Sequence, residues 1–229
     1  MVAVIKKDEG LRNKLGVFRD RTAAGAYLAE ALREYMDRDA VVLAIPSGGV
    51  PVGIAISSYL GIPFDMLIVR KINIPGNTEA GFGAVTLGGD VVLNEPMVAS
   101  LGLSRDEIKE LSEQVREELK ARNHVFRQGR PWPDLKRMTV IIVDDGLASG
   151  FTMLAAVRMV RRQEPAKIVV AVPTASIDTI RRVAQEVDEI VCPNIRTGPY
   201  FAVADAYQNW YDLTRKMVVE MLMHNHLIA

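Results

Sequence analysis

Short apolar runs alternate with helical patterns along this chain. Residues 41–45, 63–69, 139–143, 167–172 and 189–191 are short, mainly apolar stretches read as strands, with 139–143 the most β-branched. Runs of that length without polar alternation suit strands buried on both faces. Between them lie 3.6-residue patterns. In 17–36, Ala24, Tyr27, Leu28, Ala31 and Leu32 share one face, and Asp20 or Thr22 is placed to cap the helix. Residues 52–60 form an apolar helix. Met153, Leu154, Val157 and Val160 mark another, and 176–186 and the Met-rich 210–222 complete the set. Residues 104–127 read as a long polar helix, with Ser104 and Glu107 at capping-box spacing and Arg116, Lys120, Arg122 and Arg127 on a solvated face. Residues 84–87 and 91–94 flank Gly88-Gly89-Asp90 as a hairpin. The βαβαβ order with short connections predicts an α/β, doubly wound parallel sheet.

The loops between these elements carry the candidate chemistry. The run 139–143 ends in Asp144-Asp145, then Gly146-Leu147-Ala148-Ser149-Gly150, and a helix follows from Phe151. The first amides of a helix lack intrahelical partners and sit at the positive end of its dipole. Ser149, Gly150, Phe151 and Thr152 therefore suit a phosphate. Asp144 and Asp145 would repel that phosphate, but they suit a neighbouring diol or a divalent metal. A phosphate cradle beside two diol acceptors describes a ribose 5-phosphate site. A second strand–glycine loop–helix follows residue 45, with Ser47, Gly48 and Gly49 as its anion-binding candidates. Arg70 and Lys71 end the third strand, where two cations can meet a polyphosphate or stand in solvent. Residues 74–84, with three glycines, a proline and an asparagine, predict a mobile loop. Arg19 and Arg21 are equally suited to a phosphate or to solvent.

Composition narrows the classes. The chain's 229 residues suffice for one α/β domain with an added lobe. Lys plus Arg and Asp plus Glu both total 28, and the zero net charge argues against general nucleic-acid binding. Cys192 is the only cysteine, which excludes an internal disulfide and a cysteine metal cluster. No run is long enough to span a membrane, and the opening segment lacks a secretory apolar core. A cytoplasmic protein is the expectation.

The string VIIVDDGLASGFT closely resembles the phosphoribosyl-pyrophosphate (PRPP) motif of type I phosphoribosyltransferases: apolar strand, acidic pair, two residues, then Ala-Thr-Gly-X-Thr. Ser149 replaces the common Thr and keeps its hydroxyl. Phe151 stands where many members have Gly, and Ala148 where the 6-oxopurine enzymes have an Asp suggested as a base. Phe18-Arg19-Asp20-Arg21, Pro46-Ser47-Gly48-Gly49-Val50 and Arg70-Lys71 with Pro75-Gly76-Asn77-Thr78-Glu79 resemble a group of predicted members of that superfamily. That group often carries Arg where Ser47 stands.

The resemblance implies a type I phosphoribosyltransferase fold. This is a single domain over residues 1–229, with a five-stranded parallel core, helices on both faces, and a small hood from roughly 72–95 and the terminal segments. It implies transfer of phosphoribosyl from PRPP to a nitrogen nucleophile, such as a nucleobase, with release of pyrophosphate. Asp144 and Asp145 would hold the ribose hydroxyls directly or through Mg²⁺, the implied cofactor. Ala148, Ser149, Gly150, Phe151 and Thr152 would fix the 5-phosphate. Ser47, Gly48, Gly49, Arg70 and Lys71 would hold pyrophosphate. Residues 74–84 would be the closing hood loop, with Glu79 as the candidate base. Tyr200 and Phe201 would flank the acceptor base. A homodimer is expected, with the apolar terminal helix as a contact. The alternatives are a PRPP- or nucleotide-binding regulator on the same fold, and a hydrolase acting on another phosphorylated sugar or nucleotide.

Overall fold

The structure, a computed structural model, describes residues 3–228 and the side chains of all of these except 78–80. Its main sheet has six parallel strands: β1 (Val4–Lys6), β2 (Ala40–Ala44), β3 (Phe64–Met66), β7 (Thr139–Val143), β8 (Lys167–Ala171) and β10 (Glu189–Val191). They lie in the order β1-β10-β8-β7-β2-β3. A three-stranded antiparallel sheet holds β4 (Val69–Ile74), β5 (Asn77–Thr86) and β6 (Val91–Leu93). β9 (Thr174–Ser176) and β11 (Asn194–Arg196) form a short parallel pair. The helices are α1 (Arg21–Ala31), α2 (Gly49–Leu60), α3 (Glu95–Leu101), α4 (Arg105–Arg127), α5 (Phe151–Arg161), α6 (Ile177–Val183) and α7 (Arg215–His224).

The period of two within each strand builds the layers. Val41 and Leu43 of β2, Val140 and Ile142 of β7, and Ile168 and Val170 of β8 join one buried cluster with Leu154, Val157 and Val160 of α5 and Ile180 and Val183 of α6. Their alternates Val42, Ala44, Ile141, Val143, Val169 and Ala171 join a second cluster with Leu28 and Leu32 near α1 and Val52 and Ile56 of α2. Both faces of the sheet are therefore covered, which is why the central strands read as unbroken apolar runs. The antiparallel sheet is buried in the same way. Val69, Ala84 and Val92 enter the first cluster, while Ile72, Phe82 and Val85 enter the second with Leu119 and Phe126 of α4.

Several expectations change here. The parallel sheet has six strands rather than five, because Val4–Lys6 pairs with β10 at the edge remote from β3. Three residues with an exposed-exposed-intermediate pattern carry too little periodicity to be read from sequence. The amino-terminal segment thus extends the main sheet and is not part of a hood. The run 63–69 divides between sheets: Phe64–Met66 pairs with β2, and Val69 begins β4. Residues 77–84 are not an irregular loop. They form most of β5, paired with β4 through register shifts between Ile72 and Ile74 and turning at Gly76, where φ is +78°. The predicted hairpin around 88–90 pairs β5 with β6. Helix α4 has its capping box, with Ser104 and Glu107 satisfying each other's amides, but its basic face is not uniformly solvated. Arg127 is buried in a two-pronged pair with Asp65 (Nε–Oδ1 2.9 Å, Nη2–Oδ2 2.8 Å) and also donates to the Pro131 carbonyl. Val218 and Leu222 of α7 are buried in this chain's own core, so a second copy would not meet them.

Candidate functional site

Asp144 and Asp145 follow the central strand β7, and the acidic pair is half-buried against the loop that opens α2. A Cβ on Gly48 would stand 2.0 Å from Asp145 Oδ2, and one on Gly49 would stand 2.6 Å from the Val143 carbonyl oxygen. No side chain fits at either position, so the two strand-end loops can close on each other only through glycine. The Pro46–Ser47 peptide is cis.

Asp145 is clamped from outside the strand. Arg21, at the first turn of α1, donates from Nε to Asp145 Oδ2 at 2.8 Å and from Nη1 to the Tyr211 carbonyl at 2.8 Å. Its guanidinium lies 3.8 Å from the centroid of Trp210, a cation–π contact. The Tyr207 hydroxyl donates to the Asp145 carbonyl at 2.6 Å. Asp144 accepts from the Asp145 amide at 2.8 Å. Burial, and then the charge of Asp145, push the Asp144 carboxyl well above the usual carboxylate range. Burial raises Asp145 too, with Arg21 opposing it. A ligand that brings hydroxyl donors or positive charge would relieve both.

The loop after the pair enters α5 at Gly150, whose φ of +79° favours glycine. Helix α6 pulls the loop's carbonyls outward: the Thr179 hydroxyl donates to the Ala148 carbonyl, and Arg182 Nη1 donates to that of Ser149 at 2.7 Å. The residues opening α5, whose first amides lack intrahelical partners, line a cavity of about 380 Å³. Asp144, Ala148, Ser149, Gly150, Phe151 and Thr152 line it, and Lys71, Gly81 and Gly83 of the antiparallel sheet line it from across. Phe151 is accommodated because its ring also packs beneath Arg182, 5.1 Å from the guanidinium carbon. A second cavity of about 420 Å³ shares Lys71, Asp144 and Thr152 with the first and adds Arg70, Asn73 and Arg122.

The structure thus brings Asp144, the 148–152 loop, Arg70 and Lys71 together around two adjoining cavities, while Asp145 lines neither and is held by Arg21, with Gly48 packed against it. It does not bring Tyr200 and Phe201 there. Tyr200 is 86% exposed, Phe201 packs beside Arg196, and neither lines either of these two cavities; Val203 lines the first. Arg19 is exposed and paired with Asp20. The side chain of Glu79 lies outside the described residues. Arg21 and Arg122 take part in ways the sequence pattern did not separate from solvated arginines. Arg21 carried one signal, its place in Phe18-Arg19-Asp20-Arg21; Arg122 carried none.

Two glycine-bearing strand-to-helix loops beside a half-buried acidic pair, at the carboxyl ends of a parallel sheet, make a frame suited to phosphorylated ligands. The chain belongs to the phosphoribosyl transferase domain family, whose sequence profile matches residues 21–204. Over 210 residues it is 36% identical to two Mycobacterium tuberculosis proteins, from strains CDC 1551 / Oshkosh and ATCC 25618 / H37Rv, each named "Putative phosphoribosyl transferase". That match covers 92% of this chain and 47% of each relative, so the chain spans about half the length of the curated relatives it matches. The crystal structure of TT1426 from Thermus thermophilus is similar at a TM-score of 0.74 and 35% identity, over 90% of this chain and 98% of that one. The fold is that of the type I phosphoribosyltransferases. No helix among the described residues is long and apolar enough to cross a membrane.

Proposed function

We propose that the protein transfers the phosphoribosyl group of PRPP to a nitrogen nucleophile, such as a nucleobase, and releases pyrophosphate. The observation that carries this reading is the pair of adjoining cavities sharing Lys71, Asp144 and Thr152. One has the dimensions and lining for a ribose 5-phosphate, the other is rimmed by cations, and each falls within the ordinary ligand-pocket range of about 300–1,000 Å³.

In this reading the amides and hydroxyls of 148–152 hold the 5-phosphate at the positive end of α5. Asp144 and Asp145 accept from the ribose hydroxyls. Lys71 and Arg70, with the backbone of Ser47–Gly49, receive the pyrophosphate. The bond from the anomeric carbon to the pyrophosphate oxygen breaks as the acceptor nitrogen attacks that carbon, and the pyrophosphate leaves with the bonding electrons. The β4–β5 hairpin over the cavity keeps water from the electron-poor carbon. Rate enhancement then comes from positioning and fixed charge.

Among the described residues no group of three or more His, Cys, Asp or Glu side chains is arranged to hold a metal. The adjacent carboxylates of Asp144 and Asp145 still fit Mg²⁺ as it is commonly held, through one or two carboxylates with substrate oxygens and waters. Bound there, the ion would neutralise charge on the departing pyrophosphate. A regulator that binds PRPP without turning it over is the second reading, supported by the uncharged Ser47 in the pyrophosphate loop.

Calorimetric titration of PRPP, with and without Mg²⁺, against Asp144→Asn tests the site. Metal-dependent binding that is lost in the variant supports it, and no binding by the wild type rejects it. Pyrophosphate release across a panel of nucleobases then separates the readings: turnover with one base marks a transferase, and binding without turnover marks the regulator.

A further inference from the structure

Arg122 sits on α4, outside every motif-bearing loop, yet its guanidinium reaches the cation-rimmed cavity. Its Nη2 lies 3.5 Å from Ser47 Oγ, and its guanidinium carbon lies 5.8 Å from the Phe126 ring centroid. The helix that carries it is anchored five residues further on by the buried Arg127–Asp65 pair, so Arg122 is presented from a fixed frame. Burial, followed by the like charges of Arg70 and Arg215, holds Arg122 below the usual guanidinium range, and Glu118 only partly offsets this. Glu118 is itself paired with Arg70. Three half-buried cations, Arg70, Lys71 and Arg122, line one cavity together with Asp144. A polyphosphate, with several anionic oxygens, matches such a cluster of cationic donors.

We infer that Arg122 is a pyrophosphate-binding residue, contributing from α4 the guanidinium that the Ser47 loop lacks. The inference rests on the transferase reading for the identity of the ligand. The anion subsite itself rests on the geometry of Arg122, Arg70, Lys71 and Ser47. Ser47 is small enough to leave the guanidinium room, and its hydroxyl holds the near edge of that group. In the bound state Arg122 would turn its remaining N–H donors to the terminal phosphate, where a fork of donors matches the phosphate oxygens better than a point charge does.

The test is calorimetry on wild type, Arg122→Gln and Arg122→Lys with three ligands: PRPP, ribose 5-phosphate and inorganic pyrophosphate. Thermal melts would check that each variant is folded. Arg122→Gln should weaken PRPP and pyrophosphate by about ten- to a hundredfold, the range of a lost charge-assisted hydrogen bond, and leave ribose 5-phosphate unchanged. Arg122→Lys should recover part of the loss. Equal PRPP and pyrophosphate affinities in wild type and a folded Arg122→Gln would overturn the inference, as would an equal loss of ribose 5-phosphate. Wild type that binds pyrophosphate through Arg122 but not PRPP would reject the transferase reading and leave the anion subsite standing. Wild type that binds neither PRPP nor pyrophosphate would reject both.

Discussion

Arg21 and Asp145 meet across 124 residues of chain, with Nε 2.8 Å from Oδ2 and both side chains largely shielded from water. The pair ties α1 to the acidic end of the central strand, and Trp210 and the Tyr211 carbonyl hold the guanidinium from the other side. Removing one member of a buried pair leaves the other desolvated and unpaired, at a cost of about 3–5 kcal/mol.

Asp145→Asn and Asp144→Asn should therefore behave differently. From sequence, Asp145→Asn is expected to disable ligand binding without unfolding the chain. With Arg21 in place, it should also lower the urea midpoint, as should Arg21→Ala, by the several kcal/mol of a broken buried pair. Asp144→Asn relieves a like charge and should leave the midpoint unchanged or raised. Matching midpoints for Asp145→Asn and wild type would refute the clamp.

Gly48→Ala and Gly49→Ala should each destabilise by about 1–3 kcal/mol, as overpacking does. Their new methyl groups would collide with the Asp145 carboxylate and the Val143 carbonyl. Gly76→Ala is the control. It has nothing within 4 Å and only an unfavourable φ of +78°, so its cost should come from backbone strain alone, about 1 kcal/mol. Equilibrium unfolding ranks the three, and a ranking with Gly76→Ala as the most damaging would contradict the packed-loop geometry.

Glu189 supplies a pH dependence away from the site. It is buried where β10 meets β8. It accepts from the Tyr35 hydroxyl and Lys167 Nζ, both at 2.6 Å, and pairs with Lys6 at 2.7 Å. Burial alone would raise its carboxyl, but the bonds from Lys167, Lys6 and Tyr35 outweigh that and hold it below the usual range. A depressed folded value means that this contribution is complete at neutral pH. It fades as pH falls below the unfolded carboxyl, about 4.3, towards the folded value. Glu189→Gln should cost about 1–3 kcal/mol at pH 7 and progressively less in acid. A wild-type-minus-variant difference that stays flat from pH 7 to pH 3 would remove this explanation.

Arg127→Ala should cost about 3 kcal/mol by removing the two-pronged partner of buried Asp65, which would keep only the longer contact to Arg130 at 3.8 Å and the Met66 amide. Because the same anchor presents Arg122, the folded fraction should also bind pyrophosphate more weakly than wild type. A variant as stable as wild type in thermal unfolding would show that Asp65 and Arg127 are not the anchor.

Much of the fold is legible in the chain because its signals are local. Residues 139–143 read as a strand because both of their faces are covered, and α4 announces itself through Ser104 and Glu107. The acidic pair and the 148–152 loop are contiguous, so their chemistry follows from spacing. β5 was hidden because Gly81 and Gly83 look like loop residues. In the sheet they are glycines of necessity, since a Cβ would meet the Ile72 and Val92 carbonyls at 2.9 and 2.6 Å. The edge strand Val4–Lys6 was hidden because it is too short for any period to register.

By itself, the sequence determined the alternation of buried strands and covering helices, and the two glycine loops at strand ends. Each depends on neighbours a few residues apart. Only the tertiary structure decided which arginines matter. Arg21, Arg122 and Arg127 have similar local settings and the same charge. Whether such a group is solvated, clamped to a carboxylate or turned into a cavity depends on partners 62 to 124 residues away. No local pattern encodes those distances, because packing and desolvation act through space and not along the chain.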